Sequence, residues 1–298
     1  MKSRLILILS LLVVSIAKSQ INAVVINSKT KEKIPYVNIW VENESIGTSS
    51  DENGHFSISE DIADKYILFS AIGFETKKIL ADLINSSVEL TPQSININEV
   101  KIIADKRPKK LVIGSLKKSK VNCHLRSSTL PWIATRYYEY SEIYSKTPYL
   151  NSVKIYTISE TKDAKFNIRL YAVNQEGLPE NYIYDKNIIA TAKKGYHLTE
   201  VDLSAYKIPF PKNGFFLAVE WLIIDSNKFE FTVKNQESKK KVIRVSYSPM
   251  IGTTTHKTNN KSWFLSEGIW RNRAQICGLQ KQYPDKYSTL AVELTLSN

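Results

Sequence analysis

The stretch between residues 250 and 273 holds the residue types best suited to binding chemistry. Thr253-Thr254-Thr255-His256-Lys257-Thr258-Asn259-Asn260-Lys261 is a polar loop, and Trp263, Phe264, Trp270, Arg271 and Arg273 follow it directly. A sugar ring offers C–H faces to an aromatic side chain and hydroxyls to an amide or guanidinium. Trp263, Trp270, Arg271, His256 and Asn260 are therefore candidate ligand-binding residues. The same two tryptophans could instead fill the core of a β-sandwich or shield its edge. Exposed, coplanar rings would favour sugar binding, and buried rings would speak against it.

Residues that could do catalysis are sparse. The chain has four histidines, His55, His124, His197 and His256, none paired at helical i,i+4 spacing and none beside a pair of cysteines. That spacing argues against a zinc site local in sequence. No Gly-x-Ser-x-Gly elbow and no phosphate-binding Walker loop occurs. Glycoside hydrolysis needs two facing carboxylates. Glu139, Glu142, Glu200, Asp202 and Glu220 are the available acids, with Glu200 and Asp202 on one face of an alternating strand. A solvated sheet face explains that pair more cheaply. Asp51-Glu52-Asn53-Gly54 looks like a shortened calcium loop, but a strand follows where further ligands would be needed, so a plain turn is expected. The expectation is a non-enzyme that needs no cofactor and no metal.

The chain opens with Lys2 and Arg4, then the apolar run from Leu5 to Val14, then Ala17-Lys18-Ser19. This is the grammar of a signal peptide, residues 1–19, cleaved before Gln20. The apolar run falls short of the roughly 20 residues a membrane span needs. The mature chain is thus expected to carry no transmembrane segment and to be periplasmic, outer-membrane-associated or secreted. Export makes Cys123 and Cys277 a candidate disulfide, closing a loop of 155 residues, against two buried free thiols.

These residues must be positioned by strands. Val37–Val41, Tyr66–Ile72, Phe166–Val173, Phe215–Ile223 and Leu290–Leu296 are short apolar or alternating runs, separated by turn residues such as Asn53-Gly54, Gly73, Gly177 and Asn213-Gly214. Lys78–Ile84 alone reads as a brief helical turn. Many short strands at this spacing predict an all-β chain of sandwiches, and its length suggests two domains. The charged, proline-bearing run from Ala104 to Lys110 marks a boundary, with a basic linker over 104–120 and a second domain over 121–298. The full chain carries a formal charge of +12. Residues 20–97 nevertheless hold six Lys against eleven acidic residues, and 121–298 hold twenty-four Lys/Arg against sixteen acids. Outside the cytoplasm a basic surface suits an envelope protein or a glycan better than nucleic acid, or simply keeps a β surface soluble.

Residues 21–103 carry an ordered series. Ile21–Ile26 is an opening strand. Ile34-Pro35-Tyr36-Val37-Asn38-Ile39 follows, with Pro35 opening an edge strand. Next come the turn Asp51-Glu52-Asn53-Gly54-His55-Phe56, the strand and Gly turn Tyr66–Glu75, and the closing pieces Ser87–Pro92 and Ile97–Ile102. The series resembles the carboxypeptidase regulatory-like family, departing from it at Ala23, where members commonly carry Gly. The resemblance implies a seven-stranded transthyretin-like (prealbumin-like) sandwich over 20–103 with no catalytic residue. Such modules stand beside metallocarboxypeptidases and in front of outer-membrane receptors, but the remaining length leaves no room for a receptor barrel. Residues 121–298 resemble a larger jelly-roll or galactose-binding-like sandwich. The expected function is a non-catalytic, exported envelope protein acting as an interaction or scaffolding module, the alternative being carbohydrate binding through aromatics of the second sandwich.

Overall fold

Alternation of buried and exposed residues sorts the first part of the chain into strands. In the computed structural model, residues 20–93, 109–114, 116–234, 240–256, 262–272 and 287–298 are described. The strands of the first unit are β1 (Ile21–Asn27), β2 (Asn38–Val41), β3 (Gly47–Ser49), β4 (His55–Ile58), β5 (Tyr66–Ser70), β6 (Lys77–Leu80) and β7 (Ser87–Leu90). Two sheets result, β4-β1-β7 and β3-β2-β5-β6, giving the expected seven-stranded sandwich. Their inward side chains, including Val25, Ile39, Val41, Ile67, Phe69 and Leu90, form one core. Each such side chain removed from water contributes about 1.5–3 kcal/mol.

Two local expectations are corrected. Pro35 does not open an edge strand: β2 begins at Asn38 and is paired on both sides, with β3 and β5. The segment read as a brief helical turn, Lys78–Ile84, holds one, but shorter: Lys78 to Leu80 end strand β6, and Ala81–Leu83 form the 3-10 turn. The Asp51 turn is a plain turn. The Asp51 carboxylate accepts the Asn53 and His55 amides at 2.8 Å each, while Gly54 takes the positive φ of 74°.

The second unit is the larger sandwich. Its strands are β8 (Lys110–Ile113), β9 (Val121–Ser127), β10 (Trp132–Tyr138), β11 (Tyr149–Ser159), β12 (Ala164–Val173), β13 (Pro179–Tyr182), β14 (Ile188–Ala192) and β15 (Gly195–Asp202). They continue with β16 (Phe215–Trp221), β17 (Lys228–Lys234), β18 (Lys241–His256), β19 (Trp263–Ser266), β20 (Ile269–Asn272), β21 (Tyr287–Leu290) and β22 (Val292–Ser297). One sheet runs β13-β12-β16-β10-β19-β20, with β14 also on β12. The other runs β17-β18-β11-β22-β8, with β15 on β11 and both β9 and β21 on β18. Neighbours out of chain order mean that connections cross between the sheets, as in a jelly-roll-like sandwich. Both sheets contribute to one core, which includes Leu150, Ile155, Phe166, Leu217, Trp221 and Leu294.

The basic segment does not serve as a linker along the whole of 104–120. Lys110–Ile113 is β8, paired antiparallel with β22, and Leu111 and Ile113 pack against the second core. Its lysines stand at alternate or flanking positions around apolar residues that the edge of the sheet can bury. The expected signal peptide and the expected strand over 99–103 lie outside the described residues.

Candidate functional site

Strand β16 is buried along its whole length, because both of its faces are covered. Phe215, Leu217, Val219 and Trp221 face the sandwich core. Phe216 and Ala218 face outward, into a second apolar cluster with Ile133 and Tyr171, flanked by Tyr137, Tyr182, Trp263, Leu265 and Trp270. The outer face curls strongly. Tyr171 on β12 and Trp270 on β20 are four strand steps apart, which would be roughly 19 Å in a flat sheet. Their ring centroids are instead 5.3 Å apart, meeting edge-on at 88°. The β19–β20 hairpin therefore folds back over the sheet and makes a trough.

Glu220 is the outward residue at the end of β16 and is fully buried. Its Oε2 accepts Arg169 Nε at 2.8 Å and Asn167 Nδ2 at 2.9 Å. Its Oε1 accepts Nδ2 of Asn38, a residue of the first sandwich. Burial is the largest influence and opposes the Arg169 charge, but Glu220, together with Tyr182 and Tyr171, raises the guanidinium further above its usual range. The contact continues along the first sandwich. The Ser49 amide donates to the Ile223 carbonyl at 3.1 Å, the Ile223 amide to Ser49 Oγ at 3.0 Å, and Lys165 pairs with Glu52. Tyr36, Leu222 and Ile224 form an apolar cluster across the same seam.

Beside this seam lies a cleft of about 410 Å³, within the size range of small-ligand sites. One wall comes from the outer face of the β3-β2-β5-β6 sheet: Asn38, Trp40, Leu68 and Ser70. Those side chains face out because their strand neighbours Ile39, Val41, Ile67 and Phe69 fill the core. The opposite wall is the trough, with Arg169, Tyr171, Tyr182 and Trp270, and Glu180 and Glu267 also line the cleft, while Trp132 borders it with its ring stacked on core Trp221 at 4.3 Å. Tyr182 stands over the Arg169 guanidinium at 5.6 Å and beside Tyr171 at 4.8 Å between centroids. Three buried polar atoms here have no hydrogen-bond partner: Asn38 Oδ1, Arg169 Nη1 and Tyr171 Oη. Burial, and then the neighbouring Tyr182, push the Tyr171 phenol well above its ordinary pKa, so it is a neutral donor. The two phenols are close enough to interact without satisfying Tyr171 Oη geometrically. A second groove, of about 1050 Å³, is more polar in its lining, and its Glu52 and Lys165 are already paired with each other.

The structure brings together part of the set expected from sequence. Trp270 lines the cleft, and Trp263 lies on the same hairpin but does not line it. Neither is an exposed platform: both are half-buried. Arg271 secures its own hairpin, donating to the Ser266 carbonyl at 3.1 Å and pairing with Glu267 at 3.5 Å. The side chain of His256, with Asn260 and Cys277, falls outside the described residues. Cys123 is disulfide-bonded, and no free cysteine is found among the described residues. Among the other acids, Glu200 accepts Ser152 Oγ, and Asp202 is held below its usual pKa by hydrogen bonds from Ser204. No cluster of three potential metal ligands occurs among the described residues.

Sequence reasoning missed Asn38, Trp40, Arg169, Tyr171 and Tyr182. One signal was available: a charged residue, Glu220, inside the apolar run Phe215–Ile223 requires a buried partner. The outward set Asn167, Arg169, Tyr171 interleaves with the apolar set that predicted β12.

Comparison with curated proteins gives no match. Among solved structures, the clostridial cysteine protease Cwp84 after propeptide cleavage is similar at 15% identity and a TM-score of 0.39, over 87% of this chain and 51% of that chain. The cysteine protease and lectin-like domains of Cwp84, a surface layer associated protein of Clostridium difficile, give 13% identity and 0.37, over 87% and 46%. A structure of the infectious bursal disease virus Gx strain gives 9% and 0.22, over 88% and 61%. The chain thus spans about half the length of the first solved chains it matches, and at these scores the likeness carries no argument about function. No described helix is long and apolar enough to cross a membrane. The family model of the CarboxypepD_reg-like domain matches residues 21–102, so the N-terminal sandwich is a domain of that family, which is non-catalytic.

Proposed function

We propose that the protein is a non-catalytic, exported interaction module of the bacterial envelope. The observation that carries this reading is the buried seam through Asn38, Arg169 and Glu220. It joins a non-catalytic domain to a second sandwich and leaves a recess between them. Interaction modules work by presenting a fixed surface, and a seam of buried hydrogen bonds fixes one. Two of the acids at the seam and cleft are committed to ion pairs, Glu220 to Arg169 and Glu267 to Arg271.

A photo-crosslinking residue at Thr76, which is exposed and lines the cleft, tests the reading in producing cells. A discrete protein adduct is expected from this position and not from exposed Ile243, which lines neither groove. No protein adduct above the Ile243 background overturns a protein partner at this face. The aromatic lining favours a second reading, carbohydrate binding, with the cleft in place of the flat tryptophan platform.

A further inference from the structure

We propose that the cleft between the two sandwiches is a subsite for one uncharged, hydroxyl-bearing sugar ring, held by residues of both domains. The inference rests on the carbohydrate reading and adds its location and the charge class of the ligand.

The shape of the ligand follows from the walls. Trp40 from the first sandwich and Tyr171, Tyr182 and Trp270 from the second line a single recess. Aromatic rings offer flat apolar surface at little cost in side-chain entropy, and the C–H face of a pyranose matches that surface.

The polarity follows from the unpartnered atoms. Asn38 directs its amide nitrogen to the Glu220 carboxylate, so its Oδ1 is an acceptor and needs a donor. Arg169 Nη1 and Tyr171 Oη, on residues exposed by only 2% and 3%, are donors and need acceptors. A carboxylate or phosphate only accepts, so it could answer Arg169 but not Asn38. Adjacent hydroxyls both donate and accept, and answer all three.

Local charge points the same way. Arg169 is neutralised by Glu220 and Arg271 by Glu267, which leaves Glu180 as the unmatched charge among the lining residues described here. An anionic ligand would meet that acid, although the chain as a whole is basic. The three unpartnered atoms are themselves shielded from solvent, so the ring must displace a covering side chain. Half-buried Tyr182, standing over Arg169 at 5.6 Å, is the residue placed to move.

The test is titration calorimetry of the mature chain, residues 20–298, with neutral hexose and N-acetylhexosamine oligosaccharides and with their uronic- and sialic-acid counterparts. Neutral ligands should bind at least about tenfold more tightly than acidic ones. Tyr171→Phe should weaken binding about tenfold while changing the melting temperature little, because its hydroxyl meets no neighbour in hydrogen-bond geometry. Trp270→Ala should weaken binding at least as much, and Trp263→Ala, outside the cleft, should not. Tighter binding of acidic sugars overturns the ligand class. Sugar binding unchanged in folded Tyr171→Phe and Trp270→Ala overturns the site and leaves the carbohydrate reading standing. No binding of any glycan overturns both, and the crosslinking result then stands by itself.

Discussion

Glu220 ties the most interactions together. A carboxylate with no exposed surface needs donors on both oxygens, and here Arg169 and Asn167 donate to Oε2 and Asn38 to Oε1. Removing one member strands the others. Glu220→Ala should cost about 3–5 kcal/mol in urea unfolding, because it leaves a buried guanidinium without its counter-charge. Arg169→Met combined with Glu220→Leu should recover much of that loss, since an apolar pair of similar volume carries no desolvation penalty. If the single variant loses less than about 1 kcal/mol, the pair is not the lock described here. The partner requirement at Glu220 was legible in the sequence. The identity of the partners was not, since Arg169 is 51 residues away and Asn38 is 182 residues away in another domain.

The hairpin of β19 and β20 shows how an element converts sequence into a site. Its two-residue turn, Glu267-Gly268, has positive φ at both positions, 55° and 73°, the pattern that matches the twist of paired strands. Arg271 holds that turn through Ser266 and Glu267, so a residue read as a ligand contact is a strut. A Cβ on Gly268 would lie 3.3 Å from Cζ2 of Trp40, so the turn also touches the first sandwich. Gly268→Ala should therefore destabilise by about 1–2 kcal/mol in denaturant unfolding and shift the Trp40 emission. An unchanged midpoint together with unchanged fluorescence would mean that the turn neither strains nor reaches that domain.

At the scale of the whole molecule, two cores of separate composition meet along one seam, and Cys123, within the second unit, is disulfide-bonded. The protein unfolded without reductant should show no titratable thiol, and reduction should lower its melting temperature. A chain-entropy estimate for a loop as long as that between the two cysteines is up to about 5 kcal/mol. Free thiol in the unreduced protein would refute the bond. The net positive charge of the chain belongs to this scale as well, yet it says little about the cleft, whose charges are set by pairwise contacts.

Sequence by itself determined the all-β class, the seven-stranded first sandwich and its family, because strand alternation and turn residues act locally and the Asp51–Gly54 turn needs only its own neighbours. It also brought out Trp270. Tertiary structure decided that Lys110–Ile113 joins the second sandwich and not a linker, and that Arg271 braces its own turn. It alone decided that Trp40, Arg169, Tyr171 and Tyr182 share a cleft. The physical reason is the curl of one sheet and the seam between two domains. Both depend on contacts between residues far apart in the chain, and no local pattern of side chains encodes them.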